Sequence, residues 1–287
     1  MIVNLNSTVA ELGFGTTPDL MAFSPIQDAN SIFLEKKLKT VPVIDEKRQV
    51  VGIISTTDIF KYQNLNSDTK VSDVMNKKPI TVVYNQKATY AISILTDKQY
   101  VSNSYQVISS IPVIDENNKL LGLFTYKDAL LAIKELIEND TVSSLNDDLE
   151  VEVVRKEENL EYAFFVMENG GIRQILVVEE QRNGNVYPIG FIKDTELLRL
   201  MNSDLAEESS YIRVEGLMTK LDIFKILTPR HKLNRVVELF TSPDLELKLF
   251  PIVSKGNLIG AVTYTGVLKF ALKKIKNIEQ SLPENAS

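Results

Sequence analysis

Apolar and polar positions follow one another along this chain in blocks that recur four times. Each block holds two short β-branched runs separated by a polar turn, and the second run contains a glycine. Apolar runs joined by a few Asn, Gly or charged residues predict β-hairpins. The glycines, at intervals of 70, 68 and 70 residues, are Gly52, Gly122, Gly190 and Gly260. The spacing predicts four copies of one structural unit.

Helical periods flank each predicted hairpin. After the hairpins, segments such as DALLAIKELI and TGVLKFALKKI place apolar residues on one face at a period near 3.6. Segments such as SIFLEKKL and LNRVVELF show the same period before the hairpins. A short strand precedes this first helix and is visible as ITVV, VEVV and IFKIL in the second, third and fourth copies. Each unit is therefore predicted to be a β-α-β-β-α repeat, which places the protein in the α/β (α+β) class.

The size of the repeat predicts that the copies work in pairs. A unit of about 70 residues buries only about 60% of its unfolded surface, so each is expected to pack against a neighbour. The polar stretch from Glu138 to Leu149 is the predicted linker between two pairs. The predicted repeats are residues 1–68, 69–140, 141–210 and 211–287. Each pair is expected to form a pseudo-two-fold module, and the modules to meet in a flattened disc or to dimerise into one.

Composition narrows the classes of function. The chain of 287 residues is 44% hydrophobic and 24% charged, as in soluble globular proteins, and a cytoplasmic location is expected. Its longest apolar runs are far from the roughly 20 residues that cross a bilayer. It has no cysteine, and its one histidine, His231, cannot build a catalytic triad or a metal cluster, so an enzyme is not expected. The net charge of −6 disfavours nucleic-acid binding.

The second run of each hairpin leads into a recurrent motif. The first copy reads VPVID and then GIISTTD, and the second reads IPVID and then GLFTYKD. Tandem units of h-P-V-h-D followed by G-h-h-[ST]-x-x-D, complete in the first two of the four copies, resemble the cystathionine-β-synthase (CBS) domain family, in particular its members with four repeats in two Bateman modules. These include the gamma regulatory subunit of AMP-activated protein kinase and stand-alone prokaryotic proteins. The resemblance implies that paired repeats bind adenosine-containing ligands in clefts and alter a partner.

The motif has two compatible interpretations. A strand that enters a helix at Ser55 or Thr125 leaves backbone N–H groups without partners, and the helix dipole favours a phosphate there. The resemblance implies that Asp58 and Asp128 then accept the hydroxyl groups of a ribose. Alternatively, S/T-x-x-D before an apolar helix is close to a capping box, in which these side chains satisfy the helix itself. A cap in the unliganded protein can also become a clamp when a ligand binds.

The third and fourth copies depart from the motif. In GFIKDTE, Lys193 replaces the hydroxyl residue and Glu196 replaces the aspartate. In GAVTYTG, Thr263 is present but Gly266 stands where the acid would be, and glycine cannot hold a ribose. The second pair is therefore expected to be structural or to hold a ligand in another way.

Further candidates lie around the motif. Basic residues precede the second strand in three copies, where the resemblance implies phosphate contacts, although a surface lysine there is also ordinary. The resemblance places an adenine-reading hydroxyl at Thr81, with its first-copy counterpart near Ala22. In the first pair the candidate nucleotide-binding residues are Ala22, Lys39, Ser55, Thr57, Asp58, Thr81, Thr125, Lys127 and Asp128. In the second pair they are Arg173, Lys193, Glu196, Lys248 and Thr263, whereas the second copy has Ser109 at the basic position.

Together these features predict a non-catalytic regulatory protein that senses AMP, ADP or ATP, chiefly in its first pair of repeats. No metal or further cofactor is expected, and the adenine nucleotide is the regulatory ligand. The expected partner is a protein effector, and a homodimer is an alternative assembly. Two other functions stay open: a scaffold whose repeats bind no ligand, and a sensor of S-adenosylmethionine or a cyclic dinucleotide. Neither a membrane nor a nucleic acid is an expected partner.

Overall fold

The computed structural model confirms the predicted α/β class. It describes residues 6–36, 38–61, 68–97, 108–145, 149, 151–170, 172–201, 208, 210–243 and 247–281. Within these residues the chain forms two compact units. We call residues 6–91 and 108–128 the N-terminal unit, and residues 92–97 and 129–281 the C-terminal unit.

The first two repeats show the same order of elements. In chain order these are α1 (Val9–Leu12), β1 (Leu20–Met21), α2 (Ile26–Lys36), β2 (Thr40–Ile44), β3 (Val50–Ser55), α3 (Thr56–Lys61), α4 (Val71–Val74), β4 (Val82–Val83), α5 (Ala88–Thr96), β5 (Ser110–Ile114), β6 (Leu120–Thr125) and α6 (Tyr126–Ile133). In each repeat the first strand is parallel to the second, and the second and third form an antiparallel hairpin. The predicted order is confirmed for both repeats.

The later part of the chain repeats the pattern with small differences. After a 3-10 turn at Val142–Leu145 come β7 (Val153–Arg155), α7 (Leu160–Gly170), β8 (Gln174–Glu180), β9 (Val186–Lys193), α8 (Asp194–Met201), α9 (Val214–Leu217), β10 (Thr219–Lys220), α10 (Leu233–Thr241), β11 (Leu249–Ser254), β12 (Asn257–Thr263) and α11 (Tyr264–Gln280). Strand β10 adds a fourth strand to the sheet of the third repeat, in the order β10-β9-β8-β7.

The predicted first strand of the fourth repeat, IFKIL, is wrong in most of its length. Ile223–Lys225 form a 3-10 turn, because the Asp222 carboxylate accepts the N–H of Phe224 at 3.0 Å and closes the turn. Only Leu227 pairs with the hairpin, in a parallel bridge to Ile252. Local capping by an aspartate has here prevailed over the β-propensity of the apolar residues.

The aspartate of the VPVID and IPVID runs shapes the hairpin turn. The Asp45 carboxylate accepts the N–H groups of Lys47 and Gln49 at 2.9 and 2.8 Å, and Asp115 makes the two equivalent bonds, both at 2.8 Å. The turn then passes through a residue with positive φ, which is Arg48 in the first repeat. The repeated aspartate is therefore a turn residue.

The hairpins of paired repeats also bond to each other. In the N-terminal unit, the Val50 N–H donates to Asn118 O at 3.0 Å and the Leu120 N–H to Arg48 O at 3.1 Å. This reciprocal pair of bonds has the pseudo-two-fold relation that the sequence predicts for a module.

The short helix before each repeat packs on the other repeat of its pair. In the N-terminal unit, α4 leads into the second repeat, yet its Ser72 N–H donates to Ala22 O of the first repeat at 2.9 Å. Helix α1 leads into the first repeat, yet its Ala10 N–H donates to Tyr84 O of the second at 2.9 Å. We call these segments lead-ins, and each pair exchanges them.

The C-terminal unit exchanges its lead-ins in the same way. The turn at Val142–Leu145 bonds the fourth repeat through Ser143 N–H and Pro229 O at 3.0 Å, and α9 bonds the third repeat through Glu215 N–H and Lys156 O at 3.1 Å. The predicted linker from Glu138 to Leu149 therefore contains a packed lead-in, and its interpretation as a linker was wrong for these residues. Val142 and Leu145 are buried, which fixes this part of the chain.

The repeated glycine lies where a lead-in crosses the hairpin of the other repeat. A Cβ atom on Gly122 would lie under 3.0 Å from the carbonyl oxygen of Gly15, and one on Gly260 would meet the carbonyl oxygen of Leu149 in the same way. At the other two glycines a methionine side chain occupies that space. At Gly122 and Gly260 the glycine is therefore required by the backbone crossing, since only a residue without a side chain fits there.

Replacing Gly122 by alanine tests this crossing. We expect the Gly122→Ala variant to lose about 1–3 kcal/mol in free energy of unfolding, because its methyl group would overlap a fixed backbone carbonyl. The Gly15→Ala variant is the matched control, since a Cβ on Gly15 has no heavy atom within 4 Å and should change stability by no more than about 0.5 kcal/mol. Urea unfolding measures both, and equal losses in the two variants would contradict the crossing model.

Candidate functional site

The helix starts of the first two repeats share one hydrogen-bond pattern. Asp58 Oδ2 accepts the backbone N–H of Ser55 at 2.8 Å and its hydroxyl at 2.6 Å, and the Asp58 N–H donates to Ser55 Oγ at 3.3 Å. Asp128 and Thr125 make the same three bonds at 2.8, 2.6 and 3.3 Å. These are capping boxes, so the alternative that the sequence left open is realised at both positions.

The caps fill part of the anion site that the sequence predicts. The Thr56 N–H donates to Lys39 O at 3.1 Å, and the Tyr126 N–H donates to Ser109 O at 3.0 Å. With the Ser55 N–H bonded to Asp58, the first backbone donors of α3 already have partners within the chain. The prediction of several N–H groups without partners was therefore wrong for these donors.

The carboxylates keep capacity for a second contact. All the bonds of both capping boxes use the Oδ2 atom, and among the described residues the Oδ1 atoms of Asp58 and Asp128 have no hydrogen-bond partner. Both side chains are half-buried at the ends of strands β3 and β6. A carboxylate oxygen in such a place can accept a hydroxyl group from a ligand without breaking the cap.

The third and fourth repeats keep only half of the box each. The Lys193 N–H donates to Glu196 Oε2 at 2.9 Å, but Lys193 has no hydroxyl to complete the pattern. Thr263 Oγ1 accepts the N–H of Gly266 at 3.0 Å, but glycine returns no carboxylate. The departures from the motif thus appear as losses of specific hydrogen bonds.

The candidates at the basic position lie where the sequence predicts them, next to the helix starts. The strand registers Thr40↔Ser55 and Gln174↔Lys193 place Lys39 and Arg173 beside the ends of the hairpins. Lys39 is exposed. The structure therefore brings Lys39 together with Ser55 and Asp58, and Arg173 together with Lys193 and Glu196.

Lysines of the second pair lie over aromatic rings. The Lys248 ammonium lies 5.5 Å from the Tyr264 ring centroid, and that of Lys193 lies 5.9 Å from the Phe191 centroid. Both distances are within the range of cation–π contact.

The two remaining motif residues differ in burial. Thr57 and Lys127 occupy the same position in α3 and α6, but Thr57 is only 5% exposed, whereas Lys127 is half-buried. Burial of this kind is typical of a packing residue, and ligand contact by Thr57 stays a prediction.

Thr81 and Ala22 are not counterparts, so the predicted register was wrong. Val82 pairs with Val113 as Leu20 pairs with Val43, which makes Asp19 the counterpart of Thr81. Ala22 lies beyond the other end of β1, where its N–H donates to Ile44 O at 3.1 Å and its carbonyl accepts the Ser72 N–H. Thr81 lies at the end of its sheet where β6 ends in Thr125. Ala22 lies at the opposite end of its sheet from Ser55.

Two residues at this edge were missed by the sequence reasoning. Asp19, at the Thr81 position, pairs with Arg48 at 2.9 Å. Gln174 is only 3% exposed, and its Oε1 accepts the N–H of Lys248 at 2.7 Å, which joins the third and fourth repeats. The signal for Gln174 was a polar residue directly before the apolar run ILVV. Asp19 gave no signal, because the strand that follows it is too short to fix its register.

Comparison with known proteins settles the family. A model of the CBS domain matches residues 19–64, 71–135 and 142–203, which together make up more than half of the chain. The protein belongs to the CBS domain family. The resemblance in the motif residues is thereby confirmed, and three of the four predicted repeats overlap the matched segments.

Two archaeal proteins share the fold over most of the chain. The uncharacterized protein MJ1225 of Methanocaldococcus jannaschii is 24% identical over 266 residues, or 82% of this chain and 88% of that protein. Its crystal structure, described as that of a proposed archaeal homologue of g-AMPK, matches with a TM-score of 0.72, 22% identity and coverage of 92% and 99%. A conserved protein of Pyrococcus horikoshii matches with a TM-score of 0.62 and 18% identity over 92% of this chain and all of that one.

A more local similarity links the protein to an enzyme. Inosine-5'-monophosphate dehydrogenase of Helicobacter pylori is 31% identical over 107 residues, which is 37% of this chain but only 20% of the enzyme. The shared part is therefore a small fraction of that enzyme.

Two other kinds of feature are absent from the described residues. No group of three or more His, Asp or Glu side chains there is arranged to hold a metal ion. In that same part of the chain, no helix combines the length and the hydropathy needed to span a bilayer.

The cap at Asp128 can be tested without ligand. We expect Asp128→Ala to lower the free energy of unfolding by about 1 kcal/mol, because the N–H and hydroxyl of Thr125 lose their acceptor. Asp128→Asn is the matched control, since its amide oxygen can still accept the N–H, and it should retain most of the stability. Thermal melts in nucleotide-free buffer measure the difference, and an alanine variant as stable as wild type would exclude the cap.

Proposed function

We propose that this protein is a regulatory sensor that binds an adenine nucleotide in the N-terminal unit and transmits its occupancy to a protein partner. The observation that carries the proposal is the duplicated helix start of the first two repeats. Asp58 and Asp128 hold their helix starts through one carboxylate oxygen each and keep the other for a ligand. Membership of the CBS domain family, in which paired repeats bind adenosine-containing ligands, supports it.

The residues around the starts of α3 and α6 have side chains that suit the ribose, the phosphate and the base of a nucleotide. A carboxylate oxygen accepts a ribose hydroxyl, and two hydroxyl residues, Ser55 and Thr125, lie next to the two acids. Lys39, beside the first helix start, supplies a cation that an acidic protein needs to hold phosphate. Thr81, directly before β4, is the residue that we propose to contact the base.

The C-terminal unit is proposed to hold no ribose in this manner. Gly266 offers no acceptor, and the side chain of Gln174 extends from one repeat to the backbone of Lys248 in the other. That bond uses the backbone N–H of Lys248 and joins the third and fourth repeats. A structural role for this unit follows, and it agrees with the proposal that the first pair is the sensing pair.

Melting experiments separate a ligand clamp from a cap. At a hundredfold excess over its dissociation constant, AMP or ATP should stabilise the wild type by about 2.7 kcal/mol. For a chain of this size that corresponds to a rise of roughly 5 °C in melting temperature. Asp58→Ala should weaken binding by about 1.5–3 kcal/mol and reduce this rise, because a hydrogen bond to a charged group is lost.

Glu196→Ala is the matched control for that experiment. It removes an acid from the same position of the helix start in the third repeat, where the Lys193 N–H is its partner. It should lower the melting temperature without ligand but keep the full nucleotide rise. If Asp58→Ala also keeps the full rise, the residue is only a cap and the ribose assignment fails.

A ligand panel distinguishes the remaining functions. S-adenosylmethionine and a cyclic dinucleotide are tested beside AMP, ADP and ATP in the same melts. A rise with one of these alone would replace the adenine nucleotide as the proposed ligand. No rise with any of them would favour a ligand-free scaffold, as the self-satisfied caps of Asp58 and Asp128 would allow.

A further inference from the structure

Exposed aromatic side chains that the fold does not need lie on the third repeat and directly after it. Tyr162 and Phe165 lie one turn apart on α7 and are 46% and 59% exposed, and Tyr211, just before α9, is 86% exposed. Single exposed apolar residues are ordinary on protein surfaces, whereas a group on one face marks an interaction site. These three residues therefore call for a comparison with the other repeats.

The first repeat provides that comparison within the same chain. Helix α2 begins with a bond from Ile26 N–H to Thr69 O, as α7 begins with one from Leu160 N–H to Ile212 O. Counting from these bonds, the counterparts of Tyr162, Phe165 and Tyr211 are Asp28, Ser31 and Asp68. Since polar residues serve the same fold at the places of Phe165 and Tyr211, packing of the repeat does not account for these two, whereas the second repeat has a tyrosine, Tyr90, at the Tyr162 position.

Two of the three aromatic side chains border a cavity with charged walls. An open cavity of about 600 Å³ is lined by Tyr162 and Tyr211 together with Glu157, Glu158 and Arg213. It follows the end of β7, whereas the helix-start motif of the third repeat follows the end of β9. The cavity is therefore distinct from the candidate nucleotide site.

The charges around the cavity are mainly negative. Arg213 lies 4.0 Å from Glu215, and the ammonium of Lys156 bonds to Glu179 and lies 3.9 Å from Glu157, so both cations are partly neutralised by acids, one of which lines the cavity. Glu161, exposed on the same turn as Tyr162, adds a further carboxylate. An arginine or lysine that enters this cavity would meet carboxylates and two tyrosine rings, which is a favourable setting for a cation.

We propose that this aromatic–acidic patch, formed by Glu157, Glu158, Glu161, Tyr162, Phe165 and Tyr211, docks a basic segment of a partner protein. A segment with an arginine or lysine for the cavity and an apolar residue for Phe165 fits its chemistry. The proposal names the surface through which the proposed regulator would contact its effector, and it holds whether or not the first pair binds nucleotide.

The test uses a defined probe and substitutions taken from the first repeat. A fluorescein-labelled 14-residue peptide of Ala, Leu and Arg, with Leu and Arg on one helical face, is titrated with the full-length protein and followed by polarisation. The aromatic variant carries Tyr162→Asp, Phe165→Ser and Tyr211→Asp. Because this variant is more acidic than wild type, simple charge attraction predicts equal or tighter binding, whereas docking on the patch predicts a loss of at least tenfold.

Control measurements isolate the two components of the patch. The double variant Glu157→Gln, Glu158→Gln should weaken binding and reduce its salt dependence. Its turn should be preserved, because the counterpart of Glu158 in the second repeat is a glutamine, Gln86, which accepts the equivalent N–H. Leu34→Ser, at a residue 77% exposed on α2, should leave affinity unchanged. If the triple variant unfolds, Tyr211→Asp alone takes its place, with a loss of at least threefold expected.

Three outcomes would overturn the proposal. They are full affinity in the aromatic variant, equal binding of a peptide with Glu in place of Arg, and displacement of the peptide by free arginine at concentrations near the dissociation constant of the peptide. The last would identify a small cationic ligand instead of a protein segment.

Discussion

The fold of each pair depends on the crossing of a lead-in over a glycine. At Gly122 the backbone of the lead-in from Gly15 passes where any side chain would lie, and the two strands exchange hydrogen bonds through Leu123. The pairing of repeats, the position of the hairpins and the ends of the sheets all follow from this contact. The helix starts at Asp58 and Asp128 are then held at fixed places by the hairpins that the crossing anchors.

Much of this architecture could be predicted from the sequence because its signals are local. The hairpins follow from β-branched runs around turn residues such as Asp45, and the helix starts follow from the S/T-x-x-D spacing at Ser55. The exchange of lead-ins could not be predicted, because it joins residues such as Ala10 and Tyr84 that lie far apart in the chain. The recurrence of the lead-in sequences indicates a repeat, but it does not indicate which repeat each lead-in contacts.

The positions of the acidic residues in the candidate site could be predicted from the sequence. The residues of the first strand could not. Asp58, Asp128 and the hydroxyl residues before them stand where the motif spacing places them. The alignment of Ala22 with Thr81 was wrong because the sequence of a two-residue strand does not define its register. Only the pairing of β1 with β2 shows that Asp19 is the counterpart of Thr81. The role of Gln174 could not be predicted because its hydrogen-bond partner, Lys248, lies in another repeat.

The exchange of lead-ins also sets an order of events during synthesis. Helix α4 meets a first repeat that has already left the ribosome, so the Ser72–Ala22 bond can form at once. Ala10 must wait for Tyr84, 74 residues later, which at roughly 5–20 residues per second is a delay of roughly 4–15 s. During that interval the nascent α1 is without its docking surface, and the segment at Val142–Leu145 waits in the same way for Pro229. Slow codons or a bound chaperone over these intervals would therefore act on the N-terminal lead-in of each pair.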